Sequence, residues 1–203
     1  MKKHILTAIL LLCSAVAGNA TVLDFEGFTN VTRLSVYGGL NWDNVYVLNT
    51  TSNNFINGYR YGLVSGSNVA FNGFGMSASV SNGIFDFNGA YFTGVFNNDL
   101  TIKVQGWNDN QLLYDTSVVV DTIQPTYFNF DFRGIDAIFF TSHGGTSAGY
   151  IGSGTQFAMD NFTFNEPIQA PAPVPEPGTL MLLGIGMAGL AIFGKRRADK
   201  REA

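Results

Sequence analysis

The central part of the sequence lacks cysteine and has few basic residues. The single cysteine, Cys13, lies in the N-terminal apolar segment, so the body that follows can form neither a disulfide nor a catalytic thiol. Charged residues make up 13% of the chain, about half of the usual share in a soluble protein. Between Thr21 and Val174, four basic and twelve acidic side chains leave a net charge of about −8. Because such a body repels phosphate backbones, we expect no nucleic-acid partner.

The body also has little of what enzymes use for catalysis. Its one histidine, His143, cannot provide a zinc site alone. It contains neither a Walker loop nor a His-Glu-x-x-His sequence. Two carboxylates could hydrolyse a glycoside, but nothing in the sequence singles out a pair. We therefore expect a protein that is not an enzyme.

The first 20 residues have the three parts of a secretory signal peptide. Lys2 and Lys3 form a positive region, residues 5–12 form a short apolar core, and Gly18-Asn19-Ala20 places small residues where signal peptidase reads them. We expect residues 1–20 to be removed by signal peptidase, with cleavage after Ala17 as the alternative.

The C-terminal end has the composition of a membrane anchor. Residues 166–178 contain five of the six prolines, which favours an extended spacer over a packed core. Residues 179–194 carry no charge and would span about 24 Å as a helix, short of the roughly 30 Å hydrocarbon core but able to cross it with local thinning. The basic tail, residues 195–203, should stay on the cytoplasmic side.

Together, Val174-Pro175-Glu176-Pro177, the apolar stretch and the run Lys195, Arg196 and Arg197 closely resemble the PEP-CTERM sorting signal. The resemblance implies handling by an exosortase, a membrane transpeptidase-like enzyme of Gram-negative bacteria that make exopolysaccharide. Cleavage is then expected at or near Pro175, Glu176 and Pro177. The chain would be exported across the inner membrane, anchored transiently in it by the C-terminal helix, and passed to the cell surface or extracellular matrix.

Residues 21–165, the body of the chain, show the two-residue alternation that is typical of β-strands. Residues 100–105 and 126–132 place apolar side chains on one face and polar side chains on the other. Similar patterns predict further strands at residues 22–26, 42–48, 85–92, 112–120, 135–141 and 157–164. The loop Asn108-Asp109-Asn110 predicts a hairpin that pairs residues 103–107 with residues 111–115.

About nine short strands without a convincing helix predict an all-β fold, an antiparallel two-sheet sandwich of jelly-roll-like type. The body also resembles the middle domains of PEP-CTERM proteins, through VLDFEG at residues 22–27 and FAMDNFTF at residues 157–164. In many jelly rolls that resemble carbohydrate-binding domains, the first and last strands pair and a structural calcium lies nearby, so the resemblance implies the same arrangement here.

The last predicted strand changes phase half-way along its length. Phe157 and Met159 share one parity, whereas Phe162 and Phe164 share the other. A buried face can absorb this change only through a β-bulge, which we expect at residues 160–161 and which would re-aim a side chain.

Four carboxylates are candidate calcium ligands. If the terminal strands pair, Asp24 or Glu26 approaches Asp160, and Asp43 is a further candidate. Several such oxygens in one rim would suit Ca²⁺, a hard cation that takes six to eight oxygen ligands. The alternative is that these carboxylates lie in turns or at edges and face water.

Aromatic side chains near predicted loops are candidates for stacking on sugars. Tyr59, Tyr61 and Trp107 lie beside Gly and Asn residues, which permit close approach of a ligand. The alternative is that these rings fill the core, and for Trp42 we favour the core.

These patterns predict an exported, exosortase-sorted, non-enzymatic protein of the surface or matrix, whose body associates with exopolysaccharide or biofilm matrix. Its partners would be signal peptidase, exosortase, the bacterial membrane before processing, and exopolysaccharide, with Ca²⁺ as the candidate cofactor. Two alternatives stay open: a secreted glycan-active hydrolase on the same fold, and a purely structural coat component.

Replacing Pro175-Glu176-Pro177 by three alanines should leave the protein membrane-bound and unprocessed, because exosortase would lose the motif that it reads. Membrane fractionation and mass spectrometry of the mature C-terminus measure this. Pro171→Ala, in the same spacer, is the matched control and should be processed normally. Release of the triple variant at the wild-type rate would contradict exosortase handling.

Overall fold

The alternation that begins at Leu100 produces a strand with one dry face and one wetter face. In the computed structural model, Leu100, Ile102 and Val104 have no solvent exposure, whereas Thr101 and Lys103 between them are partly exposed. Successive side chains of a strand point to opposite faces of a sheet, so this one strand presents an apolar row to the core and a polar row to solvent.

The structure describes residues 20–51, 56–166 and Gly186. The chain divides into two units, Met1–Pro167 and Ile168–Ala203. The predicted signal peptide before Ala20, the spacer beyond Glu166, the predicted transmembrane helix and the basic tail lie outside the described residues, apart from Gly186, which is helical. No helix in the described part of the chain is both long enough and apolar enough to cross a membrane.

Thirteen β-strands, one short α-helix and one turn of 3-10 helix form the regular structure of the described residues. The strands are β1 (Thr21–Leu23), β2 (Thr32–Arg33), β3 (Val36–Tyr37), β4 (Leu40–Asp43), β5 (Val45–Asn49), β6 (Asn68–Asn72), β7 (Ala78–Gly94), β8 (Asn97–Asn98), β9 (Leu100–Asn108), β10 (Gln111–Val120), β11 (Thr126–His143), β12 (Thr146–Ser147) and β13 (Phe157–Phe164). The helices are α1 (Gly58–Tyr61) and the 3-10 turn Gly73–Gly75.

Eleven of these strands form one antiparallel sheet. Its main order is β10-β9-β11-β7-β13-β6-β5-β2, with β1 paired to β13, β4 paired to β7, and β3 paired to β4. Strands β8 and β12 form a separate pair. The predicted all-β, antiparallel architecture is confirmed. The sequence predicted two separate sheets. The structure instead has one large sheet whose two halves are joined by continuous hydrogen bonding.

Strands β7 and β11 connect the two halves of the sheet. The first part of β7 pairs with β4 at residues 79–81, and its second part pairs with β13 at residues 87–94. Between these parts, the register of β7 against β11 shifts three times. The shifts lie between Asn129 and Phe132, between Phe132 and Ile135, and between Ile135 and Ala137. Such bulges bend and twist the strands. For the same reason, β11 is one bent strand where the sequence predicted two.

Aromatic rings from the two halves meet in the core. The ring of Phe140 in β11 lies 6.0 Å from those of Phe87 in β7 and Phe157 in β13. Trp42 of β4 lies 5.2 Å from Phe162 of β13. Because β4 and β13 pair with different parts of β7, these contacts mean that the two halves of the sheet face each other. Trp42 is buried, which confirms its interpretation as a core residue.

The predicted hairpin of β9 and β10 is confirmed. Asn108 lies opposite Gln111, and the two residues between them, Asp109 and Asn110, have φ values of 47° and 60°. Positive φ at both central residues defines a type I′ turn, whose twist matches that of the flanking strands.

The predicted bulge in the last strand is also confirmed. Asn161 has a φ of 50°, and the register of β13 against β7 shifts between Asp160 and Thr163. As a result, the apolar side chains on both sides of the bulge face inward, and none is more than 6% exposed. The first and last strands pair as expected, with Val22 opposite Thr163.

Two asparagines explain where the local structure departs from the prediction. The strand expected at residues 42–48 is divided at Asn44, which has a φ of 52° and donates from its side chain to the carbonyls of Gly73 and Ser77. Helix α1 was not predicted. Its N-cap is Asn57, whose side chain accepts a hydrogen bond from the amide of Tyr59 at 3.1 Å.

Phe87→Ala should lower the free energy of unfolding by about 3–5 kcal/mol, because it leaves a cavity among the rings of both halves of the sheet. Urea unfolding followed by circular dichroism measures the change. Phe74→Ala is the matched control, since Phe74 is 79% exposed, and it should cost less than about 1 kcal/mol. Equal losses in the two variants would contradict a core centred on Phe87.

Candidate functional site

The carboxylate of Asp160 holds one end of the segment formed by residues 64–68. Its Oδ2 accepts hydrogen bonds from the amides of Val64 and Ser65 at 2.8 and 2.9 Å. The bulge at Asn161 changes which side chains of β13 point inward. The side chain of Asp160, next to the bulge, has no solvent exposure. Backbone N–H groups that are removed from water need an acceptor, and this carboxylate provides one for two of them.

The carboxylate of Glu26 holds the other end of the same segment. Its Oε1 accepts hydrogen bonds from the amides of Ser67 and Asn68 at 2.8 and 2.7 Å. Gly66, between the two ends, has a φ of +58°, and a Cβ there would overlap the Glu26 carboxylate. Glycine is therefore required both by the backbone conformation and by the closeness of the acid. We call Glu26, Asp160 and residues 64–68 the carboxylate clasp.

The electrostatics of the clasp are dominated by burial. Burial raises the pKa of Asp160 above its ordinary value, and the nearby Glu26 carboxylate adds to the rise. Amide hydrogen bonds from Ser65, Val64 and Asn161 oppose it by stabilising the charged form. The clasp therefore stabilises a loop by providing acceptors for its partly buried backbone donors.

The four carboxylates considered as calcium ligands all have protein donors. Asp43 makes an ion pair with Arg33 at 2.9 Å, and Asp24 accepts the backbone N–H of Glu26 at 3.1 Å. Asp160 and Glu26 are occupied by the amides of the clasp. Within residues 20–51 and 56–166, no group of three or more His, Cys, Asp or Glu side chains could hold a metal ion. Each of these carboxylates already accepts at least one hydrogen bond in the structure, and the calcium site stays a prediction.

A different group of side chains lies on the outer face of the sheet, away from the core. The register of β9 against β11 places Trp107 beside Ala137 and Gln105 beside Phe139. Because side chains alternate along each strand, these four share one face, whereas the residues between them in sequence point into the core.

A cleft opens on this face because a small residue lies next to two rings. Trp107 and Phe139 are diagonal neighbours, with ring centroids 6.4 Å apart and ring planes at 77°. Ala137, directly opposite Trp107, fills little of the space beside them. The cleft has a volume of about 360 Å³ and is lined by Gln105, Trp107, Asn110, Asp136, Ala137, Phe139 and Thr141.

Polar groups surround the rings of the cleft. Asp136 Oδ2 accepts the amide N–H of Asp109 at 2.9 Å, which joins this carboxylate to the β9–β10 turn. Gln105 Nε2 donates to Asp115 at 3.1 Å. The indole N–H of Trp107 is buried without a hydrogen-bond partner. Rings with amides and a carboxylate around them suit a ligand that has apolar faces and a polar rim.

The structure separates the three aromatic residues that the sequence identified for stacking. Trp107 lines the cleft. Tyr59 is only 8% exposed, and its ring packs 5.0 Å from that of Phe71, so it belongs to the core and cannot stack on a ligand in this structure; burial raises its pKa. Tyr61 is 39% exposed, but it lies beside Tyr150, outside the cleft lining.

Five polar or aromatic residues of the cleft were missed: Gln105, Asn110, Asp136, Phe139 and Thr141. One signal was available for Phe139, since adjacent phenylalanines in a strand cannot both face the core, and Phe140 follows it. Asn110 and Asp136 become neighbours only through the tight turn and the pairing of β9 with β11, which no local pattern reveals.

Residues 145–149 have the Gly-x-Ser-x-Gly spacing of a hydrolase nucleophile, but not its structural context. Ser147 lies in the two-residue strand β12, and its hydroxyl accepts the amide N–H of Gly149 at 3.3 Å. No helix follows within residues 150–166, whereas a nucleophile elbow joins a strand to a helix.

The family model for the PEP-CTERM protein-sorting motif matches residues 173–197. This chain carries a PEP-CTERM motif. The match includes both the Pro-Glu-Pro sequence and the basic residues 195–197, so the resemblance inferred from the sequence is confirmed. The PEP-CTERM motif directs export and exosortase-dependent sorting to the cell surface.

Two solved structures show weak similarity to the chain. One is TmCBM61 in complex with β-1,4-galactotriose, at 14% identity and a TM-score of 0.34, covering 65% of this chain and 91% of that chain. The other is CBM51 from Clostridium perfringens GH95 in complex with methyl-galactose, at 13% identity and a TM-score of 0.34, covering 72% of this chain and all of that chain. No curated protein matches the sequence. Likenesses this distant carry no statement about the ligand of the PEP-CTERM chain.

Asp160→Ala should destabilise the fold by about 1–3 kcal/mol, because the partly buried amides of Val64 and Ser65 lose the acceptor that the buried Asp160 side chain provides. It should also speed hydrogen exchange at Val64 and Ser65. Asp43→Ala is the control, because it removes an exposed ion pair that contributes less than about 1 kcal/mol. Unchanged exchange at residues 64–65 in Asp160→Ala would disprove the clasp.

Proposed function

We propose that this chain is an exosortase-sorted protein of the cell surface or extracellular matrix whose body binds matrix polysaccharide without catalysing a reaction. The sorting half of the proposal is supported by the PEP-CTERM motif at residues 173–197. The binding half rests on one observation, the cleft in which Trp107 and Phe139 meet at 77° among amide and carboxylate side chains.

The two ends of the chain define where the body works. The signal peptide of residues 1–20 starts export, and the apolar residues 179–194 stop it, with the basic tail on the cytoplasmic side. Exosortase then cleaves near Pro175-Glu176-Pro177 and releases the body from its anchor. In a bacterium with an exosortase, the polymer that surrounds the released body is exopolysaccharide.

The cleft has the chemistry that a sugar requires. A pyranose presents C–H groups on its faces and hydroxyl groups around its rim. One ring of the Trp107–Phe139 corner can stack on the face while the other contacts the edge. The amides of Gln105 and Asn110 and the hydroxyl of Thr141 can both donate to and accept from sugar hydroxyls.

The cleft is also rigid, which favours binding. Its side chains project from β9 and β11, whose opposite faces carry Ile102, Val104, Ile138 and Phe140 without any solvent exposure. A ligand therefore meets a surface whose backbone is already ordered, so little entropy is lost in arranging it.

Binding is better supported than hydrolysis. Glycoside hydrolysis in most families needs two carboxyl groups, about 5–9 Å apart, on either side of the scissile bond. Among the residues that line the cleft, only Asp136 has a carboxylate, and one of its oxygens accepts the amide of Asp109. A glycan-binding measurement on the wild-type protein distinguishes binding from a purely structural coat role.

Trp107→Ala should weaken glycan binding about tenfold or more, because the stacking platform is lost. The measurement is a glycan array, followed by calorimetry on the bound oligosaccharides, with the full-length protein in a detergent that has no sugar headgroup. Trp107→Phe keeps a ring and should bind with intermediate affinity.

Phe74→Ala is the matched control for that experiment, because it removes an exposed ring that is not among the residues lining the cleft. Its affinity should equal that of the wild type. Failure of the wild type to bind any glycan would support the coat role, and release of reducing ends would support the hydrolase.

A further inference from the structure

The residues that line the proposed cleft carry negative charge and no positive charge. Asp136 is charged, and none of the other residues that line the cleft carries a charge. Asp136 has an amide hydrogen bond from Asp109 but no ion pair with any described residue within 4.0 Å.

Two cations of the sheet are already paired, and Arg133, an exposed residue three positions before Asp136 in β11, is not among the residues that line the cleft. Lys103, one residue pair further along β9, makes an ion pair with Asp115 at 3.2 Å. Arg33 is paired with Asp43 at 2.9 Å. Asp109, at the tip of the adjoining turn, adds a second negative charge on the side of Asp136. A ligand in the cleft therefore meets a negative field that no free lysine or arginine of its lining offsets.

Resting on the proposed glycan-binding function, we infer that the cleft selects glycans by charge: it takes uncharged sugars and sugars with a free amino group, and it rejects sugars that carry carboxylate, sulfate or phosphate. The aromatic corner of Trp107 and Phe139 supplies contact that is indifferent to charge. Asp136 supplies the discrimination, by repelling an anionic substituent and attracting an ammonium group.

Coulomb's law sets the size of the effect. Unit charges about 6–8 Å apart change the affinity by about twofold to threefold in bulk water and by about thirtyfold to a hundredfold at the effective dielectric near a protein surface, so the discrimination at low salt should lie between these limits. Because the Debye length falls from about 10 Å at 0.1 M to about 3 Å at 1 M salt, the discrimination should shrink as salt rises. Affinity for uncharged sugars should change little, since stacking does not depend on ionic strength.

Matched probes separate charge from shape. Polygalacturonate oligomers and their methyl esters share one backbone and differ only in the carboxylate. Chitosan and chitin oligomers differ only in whether the amine is free or acetylated. A set of uncharged oligosaccharides tests glycan binding itself. Each is measured by calorimetry on the full-length protein, in a detergent without a sugar headgroup, at 0.05 M and 1 M salt.

Asp136→Asn is the decisive variant, because an asparagine keeps an oxygen that can accept the Asp109 amide while removing the charge. It should lose most of the charge discrimination, measured as the ratio of affinities for the two members of each matched pair of oligomers. Asp99→Asn is the matched control. It removes the same charge at the opposite end of β9, where Asp99 is exposed, and should discriminate as the wild type does.

The outcomes distinguish the inference from the function on which it rests. If the wild type binds no glycan in any set, both are overturned. If uncharged oligosaccharides bind and lose affinity in Trp107→Ala, but anionic oligomers bind as well as their esters, the function stands and charge selection is wrong. If discrimination persists unchanged in Asp136→Asn, its assignment to Asp136 is wrong. Discrimination that falls in Asp136→Asn and at 1 M salt supports the inference.

Discussion

The pairing of β7 with β11 is the constraint on which the rest of the structure depends. Each strand is long enough to belong to both halves of the sheet, and bulges between Asn129 and Ala137 bend the pair over the core. Three further strands pair directly with one of these two, β4 and β13 with β7 and β9 with β11, and β10 in turn pairs with β9. The phenylalanines that meet between the halves, Phe87 and Phe140 among them, hold the bend closed by excluding water from their rings.

The alternation of side chains on β9 and β11 links the core to the proposed binding surface. Ile138 and Phe140 face inward, and Ala137 and Phe139 consequently face outward. The inward residues fix the position of the strands, so the outward residues form a surface whose shape is set before a ligand arrives. This is an unusual use of a strand position, because a phenylalanine directed at solvent contributes less to stability than one in the core. A site on the sheet also differs from the expectation that rim loops carry the function.

The carboxylate clasp shows how two acids of the body stabilise backbone structure. Glu26 and Asp160 accept four amide hydrogen bonds from residues 64–68. Both acids come from the segments that the terminal strands bring together, so closing the sheet and ordering the loop are one event. Elsewhere, acids such as Asp24 and Asp43 accept local donors or pair with a cation in water, where the contribution to stability is small.

Strand positions, the type I′ hairpin and the bulge in β13 could be read from the sequence because each depends on local signals: alternation, turn residues, and a change of parity between Met159 and Phe162. The PEP-CTERM motif is likewise local, since another enzyme reads it as a linear segment. Tertiary structure alone decided the fate of Tyr59, which α1 turns into the core, and the joining of two predicted strands into β11. It also decided that Asp160 accepts the amides of Val64 and Ser65, and that Asn110 and Asp136 share a cleft with Trp107. These outcomes depend on which distant segments lie side by side. The alternation of residues in a sequence shows which face of a strand a side chain occupies, but it does not show which residue of another strand lies next to it.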